Sequence, residues 1–160
     1  MSYTQHHHSP IGVIEIKANS EHIEAVIFHD EPILSKENPN HLTDLCFQQL
    51  ETFFKGELKK FELPLLQPGT DFQQRVWSEL CTISYGKTIS YLELAKKLGD
   101  PKCIRAAGSA NGKNNIAIIV PCHRVIGSNN KLVGYAGGLW RKQWLLEHEN
   151  KFGNGKLSLF

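Results

Sequence analysis

The first alternating pattern in the chain lies at Gly12-Val13-Ile14-Glu15-Ile16-Lys17, and His22-Ile23-Glu24-Ala25-Val26-Ile27-Phe28 is rich in strand formers. The polar Ala18-Asn19-Ser20-Glu21 between them suits a hairpin. From about His41 to Lys55 the period becomes helical, with Leu42, Leu45 and Phe53 on a rough apolar face that ends at Gly56. Residues 57–69, with Pro64 and Pro68-Gly69, read as a connection between subdomains. The triplet His6-His7-His8 could bind a metal weakly or be a disordered polar start, and the second reading, with no chemistry, is preferred.

Punctuation sharpens in the second half. Thr70 with Gln73 is a capping-box pattern, and Phe72, Val76 and Leu80 behind it predict a helix to about Cys81, stopped by Tyr85-Gly86. Ser90 with Glu93 is a second box, followed by Tyr91, Leu94, Ala95 and Leu98 at helical spacing and then Gly99. Asp100-Pro101 starts the next helix, aspartate as N-cap and proline in the first turn, and Asn111-Gly112 closes it. On that helix Cys103, Ala106, Ala107 and Ala110 form a small-residue stripe, while Lys102, Arg105 and Ser109 share the other side. Two short helices joined by a tight glycine-containing turn predict a helix-turn-helix with a basic outward face. Ile116-Ala117-Ile118-Ile119-Val120 reads as a buried strand, and a last helix is predicted from about Leu139 to Glu149.

Charge strengthens this picture. The net charge is only +2, yet residues 1–85 carry six Lys/Arg against twelve Asp/Glu, and residues 86–146 carry ten against two. A basic half following an acidic half fits a face that meets a polyanion, and it also fits a solvated basic surface. A hydrophobic fraction of 41% and a charged fraction of 21% are those of a globular protein. No apolar run approaches the roughly 20 residues of a membrane span, and no signal-peptide pattern opens the chain, so a cytoplasmic protein is expected. Cys46, Cys81, Cys103 and Cys122 are far apart and read as free thiols, with no metal site.

One of these thiols has a distinctive setting. The strand predicted over 116–120 runs into Pro121-Cys122-His123-Arg124-Val125. A cysteine beside a histidine is a candidate activated nucleophile, because an adjacent imidazole promotes the thiolate. An inert buried cysteine is the other reading. Adjacent side chains of an extended segment diverge, so the two would communicate through a turn or a bridging water. Gly134-Tyr135-Ala136-Gly137-Gly138 permits close backbone approach to a flat ligand, or is a plain loop. Glu149 falls on the face of Lys142, Leu145 and Leu146, so it can point inward and orient a histidine.

These segments resemble the O6-alkylguanine–DNA alkyltransferases, continuously from Gly69-Thr70-Asp71-Phe72-Gln73 to Leu145-Leu146-Glu147-His148-Glu149. The match includes Tyr85-Gly86-Lys87-Thr88-Ile89-Ser90-Tyr91, Arg105-Ala106-Ala107-Gly108, Asn111-Gly112 and Pro121-Cys122-His123-Arg124-Val125-Ile126-Gly127. Before it, only Ser9-Pro10-Ile11-Gly12 looks like the family's opening. The resemblance implies an α+β protein. A ribonuclease-H-like α/β domain (residues 1–68) would pack on a winged helix-turn-helix alkyltransferase domain (69–152), followed by a tail (153–160).

It further implies self-inactivating transfer of an alkyl group from O6-alkylguanine in double-stranded DNA, with O4-alkylthymine as a further lesion, to Cys122. No cofactor is involved, and the protein would be a monomer. His123 would deprotonate Cys122 through a water, Glu149 would orient His123, and Tyr91 would help flip the nucleotide and protonate the leaving base. Arg105 would fill the gap in the stack. Lys102, Ser109, Asn111 and Gly112 would face DNA, with Gly108 and Ser109 small enough for the minor groove. Asn114 would brace the active-site turn, the Cys122 and Val125 carbonyls would accept the exocyclic amine, and Ala136 with Gly137 would face the guanine. The family's common serine is replaced by Ala136 and its proline by Asn115, which leaves the leaving-oxygen contact to backbone and implies a looser turn at 114. Alkyltransferase-like lesion binders are the alternative class, and Cys122 argues against it, since they lack the nucleophile.

Overall fold

The computed structural model describes residues 1–155, which form two compact units. The first comprises Met1–Gln67 together with Asn115–Ala117, and the second Pro68–Asn114 together with the chain from Ile118 onward.

In the first unit β1 (Tyr3–Ser9), β2 (Gly12–Ala18) and β3 (Ile23–His29) form an antiparallel meander. The predicted β2–β3 hairpin is present, and Asn19 explains its turn: Oδ1 accepts the N–H of both Glu21 and His22, each at 2.7 Å. The histidine-rich opening is not disordered. It forms β1, where His7 stacks on Phe47 with ring centres 3.4 Å apart and His6 Nδ1 lies 3.4 Å from Glu37 Oε1. Cross-strand pairing and these side-chain partners supply what the segment lacks in alternation. Helix α1 (His41–Phe54) covers the sheet, burying Leu42, Cys46, Leu50 and Phe53. Its cap is Asn40, whose side chain accepts the Thr43 N–H while the Thr43 hydroxyl accepts the Asn40 N–H.

The segment 116–120, expected as a strand, is not one. Only Ile116 pairs, in a single parallel bridge to Val26, and Ile118 adopts a left-handed φ of 71°. Such a φ is incompatible with a continuing strand and uncommon for a β-branched residue. Apolar composition correctly marked burial here, yet the backbone turns. Asn115 brings an N–H that proline would lack, and Gln67 Oε1 accepts it, so the substitution supplies a tether at that turn.

The second unit is mainly helical: α2 (Asp71–Leu80), α3 (Tyr91–Lys97), α4 (Ile104–Gly112) and α5 (Leu139–Asn154). Both predicted capping boxes, Thr70/Gln73 and Ser90/Glu93, are formed. Asp100 caps a short 3-10 turn, Pro101–Cys103, that leads into α4. Lys102, Arg105 and Ser109 are exposed as expected, and Ala107 and Ala110 are buried, but Ala106 is exposed and Cys103 only half-buried. The stripe is therefore narrower than its small residues suggested. Two short strands, β4 (Ile89–Ser90) and β5 (Val125–Ile126), pair in parallel and bring the ends of α3 and the cysteine segment together. Helix α5 extends past Glu149 and past the expected domain end at 152, to a left-handed Gly155 cap with φ 70°. Residues 156–160 of the expected tail lie outside the described residues.

Candidate active site

Cys122 stands at the start of a 3-10 turn, Cys122–Arg124, inserted between Pro121 and β5. The turn is closed by Arg124 N–H donating to the Pro121 carbonyl at 3.0 Å. This turn replaces the extended chain expected through Cys122 and His123. All three side chains are buried, with His123 at 0% exposure.

The imidazole is fixed from behind. His123 Nε2 lies 2.8 Å from Glu149 Oε2, which is itself 1% exposed on α5. A carboxylate accepts, so Nε2 carries the proton and Nδ1 keeps its lone pair. Nδ1 is buried and makes no hydrogen bond to any described residue. Burial holds the imidazole pKa below its usual 6.5 against the opposing pull of Glu149, so His123 is a neutral base near pH 7. Burial by itself would raise the Glu149 carboxyl, but the charge and hydrogen bonds of His123 and Arg124 outweigh it and hold it at about 2.

Arg124 is a member of this cluster that the sequence did not single out. Its Nε donates to Glu149 Oε1 at 2.8 Å, Nη2 to Oε2 at 2.9 Å, and Nη1 to the Ile83 carbonyl at 2.6 Å. One carboxylate thus serves a histidine and an arginine together. No spacing rule links residue 124 to residue 149, and only the fold makes them partners.

In front of the thiol is a cavity of about 130 Å³ whose lining includes Tyr91, Asn111, Asn114, Cys122, Tyr135 and Ala136. Burial raises the Cys122 pKa, whereas the Asn114 side chain and the charge of Lys142 draw it down. Asn114 Nδ2 also donates to the Val120 carbonyl at 2.9 Å, bracing the chain just before the cysteine. Asn111, expected among the DNA-facing residues, is only 5% exposed and lies in the cavity wall instead. Lys102, Arg105 and Ser109 are outside it on the exposed side of α4, while Gly112 also lines it. Val125 is fully buried in β5 behind the turn.

The loop from Gly127 to Gly138 forms one rim of the cavity. Tyr91 Oη donates to the Val133 carbonyl at 3.0 Å, and Lys142 Nζ donates to the carbonyls of Val133 and Gly134 at 3.0 and 3.1 Å. Arg141 Nη1 holds the Gly137 carbonyl at 2.9 Å. Lys142 is buried, and desolvation lowers its pKa to about 8 despite the charge of Cys122. A fully buried lysine tying a glycine-rich loop was not legible in the sequence. Its only signal was an inward position on the face of Glu149.

A neutral imidazole, its carboxylate partner and a sheltered thiol lining a cavity are an arrangement suited to a cysteine nucleophile. Comparison with known proteins gives that arrangement a family. Residues 71–151 match the model of the 6-O-methylguanine DNA methyltransferase DNA-binding domain, and residues 2–67 match its ribonuclease-like domain. A methylated-DNA–protein-cysteine methyltransferase of Methanosarcina acetivorans is 47% identical over 147 residues, covering 88% of this chain and 94% of its own. One from Mycobacterium tuberculosis is 56% identical over 112 residues, covering 70% and 68% respectively. The crystal structure of the M. tuberculosis O6-methylguanine methyltransferase superposes with a TM-score of 0.86 at 41% identity, covering 98% of each chain. A structure of the M. tuberculosis protein in complex with DNA gives 0.85 at 43% identity, covering 93% of each. The chain belongs to the methylated-DNA–protein-cysteine methyltransferase family.

Proposed function

We propose that this protein repairs DNA by moving the alkyl group of O6-alkylguanine irreversibly onto Cys122, with O4-alkylthymine as a further lesion. The observation that carries this reading is the buried Glu149–His123 pair held directly next in the chain to Cys122, a buried residue lining a cavity. Helices α3 and α4, read as the helix-turn-helix of a winged domain, would bring DNA to it with Lys102, Arg105 and Ser109 outward. The first unit would be the ribonuclease-H-like partner domain. The protein would act as a cytoplasmic monomer, and no helix among the described residues is long and apolar enough to cross a membrane.

The target oxygen is inaccessible in a duplex, so the nucleotide swings out through the minor groove at a cost of a few kcal/mol. Gly108 and Ser109 allow close approach, and Arg105 fills the vacated stack. Phosphate contacts from the basic segment 86–146 supply sequence-independent affinity. The exocyclic amine is read by the Cys122 and Val125 carbonyls, and the Ala136 N–H, with Gly137 beside it, faces the guanine oxygen.

His123 Nδ1 then takes the thiol proton through a bridging water. Glu149 orients the imidazole and stabilises the imidazolium formed. The thiolate displaces guanine from the alkyl carbon in line, while Tyr91 protonates the departing base. The thioether product has no carbonyl for water to attack, so each chain acts once. Cys122 is also what separates this reading from a lesion binder without chemistry. Accordingly, Cys122→Ala is expected to keep its affinity for methylated duplex and to take up no labelled methyl group. Uptake by that variant contradicts the assignment.

A further inference from the structure

In the reaction proposed above, the thiolate forms an S–C bond to the alkyl carbon. The C–O6 bond breaks with its electron pair passing to the purine, and the Tyr91 proton moves to ring N3. The negative charge that began on sulfur therefore ends on the Tyr91 oxygen, until water reprotonates it. Tyr91 is half-buried in the free chain and would be covered by a flipped base, where a phenolate is costly unless hydrogen-bonded.

Asn111 stands at that point. It belongs to the last turn of α4, whose Ala110 carbonyl is fixed by Trp77 Nε1 at 2.9 Å, and it is 5% exposed. The same helix closes on the Tyr91 ring, where a Cβ added at Gly108 would lie 3.6 Å from Cδ1. Asn111 Nδ2 points to the Cys122 carbonyl at 3.4 Å, and Oδ1 is buried with no hydrogen bond to any described residue. Rotating the amide would set its oxygen against that carbonyl, so the donor end faces the site. Nδ2 carries a second N–H. Asn111 and Tyr91 line the same cavity; burial and the charge of Cys122 raise the Tyr91 pKa, and the Asn111 side chain draws it down. The Tyr91 proton itself is directed to the Val133 carbonyl.

We propose that Asn111 is a positioning residue for Tyr91, its Nδ2 holding the phenol oxygen at the cavity and stabilising the phenolate left by proton donation. The ammonium of Lys142, 5.8 Å from the Tyr91 ring centre, is the charged group on the α5 side. This inference rests on the transfer reaction and adds a residue that sequence reasoning had placed on the DNA surface.

The test crosses residue with substrate. Single-turnover rates are measured for the full chain and for Asn111→Leu on duplexes carrying O6-methylguanine or its 3-deaza analogue. In the analogue a C–H replaces N3, so Tyr91 has nothing to protonate. Asn111→Leu should lose about 10-fold or more on O6-methylguanine and less than about 2-fold on the analogue. Asn111→Ala, which removes the donor without adding bulk or charge, should lose selectively in the same way, and it covers the case in which the leucine variant does not fold. Equal losses on the two substrates, or no loss on O6-methylguanine, overturn the inference. An unsubstituted protein that takes no methyl group from O6-methylguanine contradicts the transfer reading itself, which is a separate result.

Discussion

Glu149→Gln is expected to lower stability by about 3–5 kcal/mol, read as a shift of the urea midpoint, and to slow alkyl transfer in the fraction that folds. The carboxylate accepts two hydrogen bonds from Arg124 and one from His123 while 1% exposed. The amide of glutamine cannot balance the guanidinium charge, so Arg124 is left buried and uncompensated. The pH dependence follows from the same group. Its pKa is held at about 2 from an ordinary 4.5, so its contribution is fully present above 4.5 and is lost as pH falls from there toward 2. That shift corresponds to a contribution on the order of 3 kcal/mol, in the same range as the expected loss. His123 acts in the same direction at higher pH. Being lowered in the folded state, it favours folding above 6.5 and opposes it as pH falls below. A Glu149→Gln midpoint equal to that of the parent, or an unchanged acid limb, contradicts this account of the cluster.

His123→Phe is expected to reduce the transfer rate by about 10²–10⁴-fold while leaving binding of alkylated duplex intact. Phenylalanine fills the buried site, and Glu149 keeps Arg124. The sign of the pH effect separates a base from a spacer. In the parent the rate rises as pH increases through the lowered His123 pKa, below 6.5, and then levels. Without the base, reaction waits on spontaneous ionisation of a thiol whose pKa burial raises above 9, so the rate keeps climbing through alkaline pH. An unshifted profile in the variant would remove His123 from the proton path.

Where sequence sufficed, the reason is local. Thr70/Gln73 and Ser90/Glu93 satisfy their own helix ends within four residues, and Asp100-Pro101 does the same, so α2, α3 and the start of the next helix were readable. A motif and a helical face marked Cys122, His123 and Glu149, and the fold buries all three and pairs His123 with Glu149. Where it failed, the deciding partner was distant. β1 holds its register through β2 and Phe47, not through its own alternation. Ile116–Val120 is apolar enough for a strand, but only Ile116 meets a strand edge. Arg124, Lys142 and Asn111 carry side chains typical of a surface. The fold turns them inward to a carboxylate, two loop carbonyls and the cavity wall.

The central claim is that Cys122 is a single-use acceptor. Intact-mass measurement of the full chain, titrated with a duplex carrying one O6-methylguanine, tests it most directly. The account predicts a gain of one methyl group per chain, confined to the peptide containing Cys122 and saturating at one equivalent of lesion. A chain that stays unmodified, is methylated elsewhere, or clears more than one equivalent contradicts it.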